Sequence, residues 1–274
     1  MLKKQPYNKE TENRLKALEE WCHSQEYDDA CNYYLSEADH LFKVGASYQA
    51  AIVNSEQEIL QQAVRIEYSS YGGLHRGLYC PSLVLDLIVG NITRGKKWSR
   101  PSSKSKNYFV YGFDRADRLI WIKQFYNAVH IYTEFLFYQE RHVYGVTLES
   151  SGQLQAVSSE RYEEGRLHSY DYVLFQKIRE RCECQRMTRE EYSFDEKGLC
   201  TCDVHEFTPQ NDCAKKVLSA ILGVSFRTEY RKKRFHFERK DGYLTQYRSE
   251  EIIGGKDDNT RFGRFYEIKK KRKA

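Results

Sequence analysis

Several familiar signatures of catalysis are missing from this sequence. It has no GxxxxGK[ST] loop, no GxGxxG after a predicted strand, no HExxH pair and no GxSxG elbow. Nucleotide-binding, zinc-protease and serine-hydrolase functions therefore have no support from motifs. We predict that the chain is not an enzyme and that it has no catalytic residues, no cofactor and no bound metal.

Proline and long apolar runs are also scarce. Only 4 prolines occur, and a composition of 40% hydrophobic and 30% charged residues excludes a mainly disordered chain. No apolar run approaches the roughly 20 residues that span a bilayer, so we expect no membrane partner. The first residues, MLKKQPYNKETENRL, lack the apolar core of a secretory signal. We expect a soluble, globular, cytoplasmic protein whose eight cysteines are reduced thiols.

The excess of positive charge is small and local. The formal net charge is +5, and the terminal KKKRKA carries five of the positive charges, so the rest of the chain is close to neutral. A solvated end is the simpler interpretation of this tail, and an arm that binds nucleic acid is the alternative.

The first part of the chain, from Lys9 to about Leu60, has helical periodicity. Its first helix carries apolar residues at spacings of three and four, namely Leu15, Leu18, Trp21 and Cys22. A second helix is predicted from Asp28 to about Val44, ended by Gly45. Its apolar face contains Tyr34, Leu35, Ala38, Leu41 and Phe42. A third is predicted to begin at Ser55, where Glu58 completes a capping box.

Periodicity changes near a basic, Ser-rich connector at residues 94–107. The apolar run just before it, Leu83 to Val89, could be a short helix or a strand. From Tyr108 onward, aromatic and β-branched residues alternate with polar turns, which predicts an antiparallel β-meander. We therefore predict an α+β chain with a mainly helical region at 1–106 and a β-sheet region at 107–274. One further helix is predicted near 211–222.

Five stretches of the sheet region share one plan: an aromatic strand end, a few polar residues that usually include Asp or Glu, usually a glycine, then leucine and a second strand. They are YGFDRADRLIWIKQF, YGVTLESSGQLQAV, RYEEGRLHSY, YSFDEKGLCTCDV and FHFERKDGYLTQY. Glycine supplies the positive φ of a tight turn, so each stretch predicts a hairpin whose leucine and aromatic side chains share one sheet face.

The hairpin plan is similar to the YD repeats of Rhs-type bacterial toxins, and we interpret it as structural. A second resemblance concerns the whole chain. Helices, then CPSLVLDLIVGNITRGKKWSRP, then hairpins such as YFVYGFDRADRLIWIKQF, together resemble immunity proteins encoded beside polymorphic or contact-dependent growth inhibition toxins. This resemblance implies an antitoxin that binds a cognate toxin protein, such as a nuclease, and covers its active site.

The stretch Arg161 to Tyr172 is the predicted partner-binding site. His168, Tyr170 and Tyr172 fall on one face of a regular strand, and Glu163 and Glu164 lie at the adjoining turn. A solvent-facing aromatic ladder that binds a protein is favoured there over a His–Tyr acid–base pair, because no nucleophile or second carboxylate shares that face.

Two CxC pairs, Cys182/Cys184 and Cys200/Cys202, with His205 and Cys213 nearby, are the strongest metal candidate. A turn at 195–198 would place position 200 opposite about 193 and leave Cys184 on the order of 20 Å away, so we expect thiols without zinc. The basic run Arg231 to Arg234 is predicted to be a solvated turn between strands, with a phosphate contact as the alternative. Toxin binding is thus the favoured function, and a nucleic-acid-binding or nucleic-acid-processing protein is the alternative.

Overall fold

The computed structural model describes residues 9–89, 92–102, 104–178, 181–209, 229–240, 243–252 and 264–273. Its helices are α1 (Lys9–Cys22), α2 (Gln25–Gln61) and α3 (Leu85–Ile88), with a single 3₁₀ turn at Gly77–Tyr79 among the described residues. The strands are β1 (Arg65–Ser70), β2 (Lys97–Trp98), β3 (Tyr108–Phe113), β4 (Leu119–Tyr126), β5 (Val129–Tyr138), β6 (His142–Glu149), β7 (Leu154–Glu163), β8 (Arg166–Ile178), β9 (Arg181–Asp195), β10 (Gly198–Phe207), β11 (Tyr230–Lys240), β12 (Tyr243–Ile252) and β13 (Arg264–Lys273).

The strands form one antiparallel meander. Strands β3 to β13 follow each other in sequence order, β1 pairs with β3 on the other side, and β2 pairs with β1 at the edge. This confirms the predicted α+β class and the start of the meander at Tyr108. The helix expected near 211–222 lies outside the described residues.

The helices differ from the prediction in where they end. Gly45 does not stop α2, which continues to Gln61 and is interrupted at Ser55, where φ is −128° and ψ is 19°. A Cβ at Gly45 would overlap a methyl group of Val157, so this glycine serves close helix-to-sheet packing. Ser24 begins α2 earlier than predicted, since its hydroxyl accepts the N–H of Tyr27 at 3.2 Å.

The buried face of α2 is narrower than expected. Tyr34, Ala38 and Leu41 are buried and follow the i, i+4, i+7 spacing of one helical face. Leu35, which was assigned to the same face, is 52% exposed. The reason is rotational: one residue along a helix turns the side chain by about 100°, which moves Leu35 off this face.

The chain forms two compact units, the first made of residues 1–37, 186–188 and 193–274 and the second of residues 38–185 and 189–192. The predicted boundary at residue 106/107 falls inside the second unit. There β1 pairs with both β2 and β3, so the Ser-rich connector contributes a strand to this unit's sheet. The run Leu83 to Val89 contains the one-turn helix α3.

Both faces of the sheet in the second unit are covered. On one face, Phe42 and Tyr48 of α2 pack on Phe175 and Phe137, with ring centroids 5.4 and 4.0 Å apart. On the other face lies the segment of residues 71–89, called here the cover segment. Its Gly77 is packed so closely on the sheet that a Cβ would come within 2.8 Å of Phe109 and Tyr111. Long parts of the strands are therefore buried on successive residues.

In the first unit, tyrosines of α2 pack against the sheet. The ring of Tyr34 stacks on Tyr230 at 5.2 Å and lies 5.5 Å from the ring of His205. The hydroxyl of Tyr27 donates to Glu229 at 3.1 Å and accepts the N–H of Tyr230 at 3.1 Å. Aromatic stacking and these hydrogen bonds fix the helix to this part of the sheet.

The strands of all five predicted hairpins are hydrogen-bonded neighbours, as β3–β4, β6–β7, β7–β8, β9–β10 and β11–β12. Gly152, Gly165 and Gly198 supply the positive φ. The β4–β5 hairpin was not predicted, and its turn contains neither a glycine nor an acidic residue. Its two central residues, Asn127 and Ala128, have φ of 50° and 62°. A membrane-spanning helix is absent from the described part of the chain.

The β4–β5 turn predicts a stabilising substitution. Ala128 is exposed, and its backbone has a left-handed conformation. This conformation costs a residue with a Cβ about 1 kcal/mol relative to glycine. Ala128→Gly should raise the free energy of unfolding by about 0.5–1 kcal/mol in a denaturant titration. Ala116→Gly, in a turn where φ is not positive, is the matched control and should not stabilise. Equal effects of the two substitutions would contradict the strain at Ala128.

Candidate functional site

The stretch Arg161 to Tyr172 forms the β7–β8 hairpin. Glu163 pairs with Arg166, and the two residues between them, Glu164 and Gly165, have φ of 50° and 75°. Positive φ at both central positions is the geometry of a type I′ turn. The predicted hairpin and the turn position of both glutamates are therefore confirmed.

His168 lies at an irregularity of this hairpin. The register shifts between Arg161, which pairs with Ser169, and Tyr162, which pairs with Leu167, so His168 is the extra residue of a β-bulge. Its Nδ1 is 3.4 Å from Oε2 of Glu163, whose Oε1 is 3.3 Å from Arg161. Glu163, Glu164 and His168 are thus close together at the accessible end of the hairpin.

Tyr170 and Tyr172 do not form a solvent-facing ladder, and this expectation is wrong. Tyr170 is 4% exposed, and its hydroxyl shares a 2.6 Å hydrogen bond with Nδ1 of His75. The His75 ring lies 4.3 Å from that of Tyr172. The cover segment causes the burial, and desolvation raises the pKa of both tyrosines. A single strand pattern contains no information about this distant segment.

Beneath the cover segment lies an ionic network around Arg76, whose side chain is 3% exposed. Its guanidinium pairs with Glu134 at 2.9 Å and with Glu160, and it donates to the Ser158 hydroxyl at 2.8 Å. Burial alone would raise the pKa of Glu134, but the charges of Arg76 and then His75 outweigh it and lower this pKa to about 2. The network clamps the cover segment to β5 and β7.

Gly145 on β6 makes room for this clamp. A Cβ there would overlap Oε1 of Glu134 and Oγ of Ser158 and would lie 2.5 Å from Nη2 of Arg76. A further buried carboxyl, Glu190, accepts a 2.6 Å hydrogen bond from Ser82 of the cover segment. Desolvation raises the pKa of Glu190, so burial here favours the neutral acid. Sequence reasoning missed both groups, because their partners are far away in the sequence.

Exposed charges of both signs occur in the second unit at three turns, which lie at the same ends of neighbouring strands. We call residues 114–118, 138–141 and 161–166 the turn rim. All its residues are exposed except Asp114 and Tyr162, which are half-buried. Arg118 lies over the ring of Tyr138 at 5.3 Å, and the Tyr162 N–H donates to the Arg141 carbonyl at 2.8 Å. These contacts join the three turns into one surface.

The cysteine pairs show no metal geometry in the described chain. Cys200 Sγ lies 3.3 Å from the carbonyl oxygen of Ser193, as the predicted turn at 195–198 requires. No cluster of three or more potential ligands occurs among the described residues. Cys213 lies outside them.

The basic run Arg231 to Arg234 is not a turn, which corrects the prediction. It lies within β11, where Lys232 and Arg234 pair with Asp203 at 2.8 and 2.6 Å. Although burial opposes it, hydrogen bonds from Arg234 and Lys232 lower the pKa of Asp203 to about 2. In the connector, Arg94 pairs with Asp86 and Lys97 with Glu67. Much of the basic charge is therefore neutralised within the protein.

Comparison with known protein families and with curated proteins gives no match for this chain. The chemical character of its surfaces therefore carries the functional argument.

Burial of Tyr170 predicts a structural effect of its mutation. Tyr170→Ala should lower the free energy of unfolding by about 3–5 kcal/mol, since a large cavity replaces a buried ring. Tyr170→Phe, which loses only the hydrogen bond to His75, should cost about 1 kcal/mol. Denaturant titration measures both, and Glu164→Ala on the exposed turn is the control expected within about 0.5 kcal/mol of the parent. A mild effect of Tyr170→Ala would mean that this side chain is accessible.

The ionic network predicts a loss of stability in acid. The ordinary pKa of Glu134 is 4.5 and its folded value is about 2. Its contribution is complete above pH 4.5 and is lost as pH falls towards 2, because only the unfolded state readily takes up the proton. Glu134→Gln should destabilise by about 3–5 kcal/mol at pH 7, since Arg76 loses a buried partner. The difference between the two proteins should shrink through this pH window, and parallel stability profiles would contradict the assignment.

Proposed function

We propose that this chain is an immunity protein that binds a bacterial toxin through the turn rim and occludes its active site. The observation that carries the proposal is the composition of this exposed surface. The turn rim contains five arginines, five carboxylates and no lysine, together with Tyr138. Arginine and tyrosine are enriched at protein interfaces, where lysine is depleted.

The turn rim is held in place before any partner binds. Within the β3–β4 turn, the Asp114 carboxylate accepts the N–H groups of Ala116 and Arg118, each at 2.9 Å. The hydroxyl of Tyr138 donates to the Leu119 carbonyl at 2.8 Å. Ordering of side chains on binding is a large entropic cost, and such internal bonds reduce it.

Balanced charge favours a protein partner over nucleic acid at this surface. Non-specific nucleic-acid binding depends on a local excess of Lys and Arg over phosphate, whereas the turn rim has equal numbers of the two charge signs. A protein interface uses alternating charges to fix orientation and exclude incorrect partners. The run Arg231 to Arg234 does not offset this argument, because Asp203 holds two of its four basic residues.

The contact residues that we propose are Glu163, Glu164 and His168 at the β7–β8 turn. A nuclease that binds phosphate has a basic cleft, and adjacent carboxylates on a rigid hairpin suit such a cleft. Tyr170 and Tyr172 contribute indirectly, since they pack β8 of the hairpin against His75 of the cover segment. The proposed setting is the cytoplasm of the cell that makes the toxin.

The test is calorimetric titration with the purified product of the open reading frame immediately upstream of this chain's gene, which the proposal expects to encode the toxin. Glu163→Lys/Glu164→Lys should weaken binding by about 30-fold, or about 2 kcal/mol, because like charges would then meet the basic cleft. Glu58→Lys, on the exposed surface of α2, is the matched control and should bind as the parent does. Thermal unfolding should show that both variants remain folded.

Two results would contradict the proposal. Unchanged affinity of the turn-rim variant would exclude this surface as the contact. Failure of the parent protein to bind the toxin, or to protect cells that express it, would reject the immunity function itself.

A further inference from the structure

The strands that are joined at the turn rim carry a different set of charges at their opposite ends. The sequence contains no Asp or Glu from Leu87 to Phe113, and none from Arg118 to Thr133. Within the first of these stretches, four exposed cations make no ion pair with a carboxylate in the described part of the chain. They are Lys96, Arg100, Lys104 and Lys106.

Backbone hydrogen bonds gather these stretches at one place. The Lys96 carbonyl accepts the N–H of Ser70 at 2.9 Å, and the Lys106 carbonyl accepts the N–H of Ala128 at 2.7 Å. The carbonyl of Asn107 accepts the N–H of Tyr71 at 3.2 Å, and its side-chain oxygen accepts that of Asn127 at 2.9 Å. The connector therefore lies against the β4–β5 turn and the start of the cover segment.

Exposed aromatic rings accompany this charge. Tyr126, next to the β4–β5 turn, is 52% exposed, and Tyr71 is 41% exposed. Tyr71 stacks on Phe109 at 5.4 Å. Beside them the half-buried rings of Tyr108 and Phe125 are parallel within 5°, with centroids 4.6 Å apart. Flat rings supported from behind can accept a further aromatic ring on an exposed face.

In the described part of the chain, three carboxylates lie near these segments. Glu67 is already paired with Lys97 and Arg65. The charge of Glu56 acts on His130, and Glu149 pairs with Tyr132 across β5 and β6. The four cations and the two exposed tyrosines thus belong to segments that backbone hydrogen bonds hold at one end of the sheet, called here the basic end.

We propose that the basic end binds single-stranded nucleic acid. Lys96, Arg100, Lys104 and Lys106 contact successive phosphates, and unpaired bases stack on Tyr126 and Tyr71. Cations that follow the backbone together with aromatic stacking platforms are the two components of single-strand recognition without sequence preference. The bases of a duplex are stacked inside the helix, so they are not available to stack on the tyrosines. This site is independent of the toxin-binding function proposed for the turn rim.

The experiment is fluorescence anisotropy of the full chain with a labelled 12-nucleotide deoxythymidine strand over a salt series. Four phosphate contacts predict a slope of log K against log salt of about −3, at about −0.7 per contact. Lys104→Gln/Lys106→Gln should reduce this slope by about 1.4. Since residues 269–273 are basic in every variant, their contribution cancels in the difference.

Stacking has a separate readout. Tyr126→Ala should weaken binding by about 5- to 150-fold and leave the salt slope unchanged. The matched controls are Tyr138→Ala and Arg141→Gln, which change an exposed tyrosine and a cation on the turn rim, and both should bind as the parent does.

Three outcomes would overturn the proposal. The salt slope could be the same in the lysine variant as in the parent. A 12-base-pair duplex could bind as tightly as the single strand. Finally, polyglutamate could displace the labelled strand as well, per unit charge, as unlabelled single strand does, while Tyr126→Ala leaves the affinity for the single strand unchanged. These two results together would assign the surface to an acidic protein. None of these results depends on whether the chain binds a toxin.

Discussion

A buried guanidinium is the constraint on which the second unit depends. The backbone of Arg76 has a left-handed conformation, with φ of 57°, and its side chain is nearly inaccessible to solvent. An isolated buried charge is very costly, so the arrangement is stable only when Glu134 and Glu160 are both in place. These carboxylates come from β5 and β7, and Gly145 on the strand between them leaves the required space. One side chain thereby fixes the cover segment to β5 and β7.

Both carboxylates of the network have a further neighbour besides Arg76. Tyr162 donates to Glu160 at 2.7 Å, and His75 Nε2 lies 2.9 Å from Glu134. A network of this kind specifies one position of the cover segment, since any slip would leave a buried charge unpaired. Hydrophobic packing alone, through Gly77 on Phe109, is less directional.

Coverage of both sheet faces moves the accessible chemistry to the strand ends. On one end, arginines and carboxylates alternate around Tyr138, which suits a structured protein surface. On the other, a stretch without carboxylates places lysines beside Tyr126 and Tyr71, which suits a flexible polyanion. A sheet with one open face would instead have presented Tyr170 and Tyr172 to a partner. The same strand sequences therefore have different functional meaning with and without the cover segment.

The sequence by itself determined the local structure. The change from helical to alternating periodicity located the meander at Tyr108. Polar turn residues, with a glycine in four of the five turns, located the hairpins, because φ preferences and side-chain alternation are properties of a few adjacent residues. It also located Glu163, Glu164 and His168 near an exposed turn. Only the tertiary structure decided that Tyr170 is buried and that Gly45 packs inside a helix. Arg76 pairs with Glu134 and Glu160, which are 58 and 84 residues away in the sequence. Burial and ion pairing at such separations depend on which segment packs on which face of the sheet. That packing is determined by the free energy of the whole chain, because no local pattern specifies it.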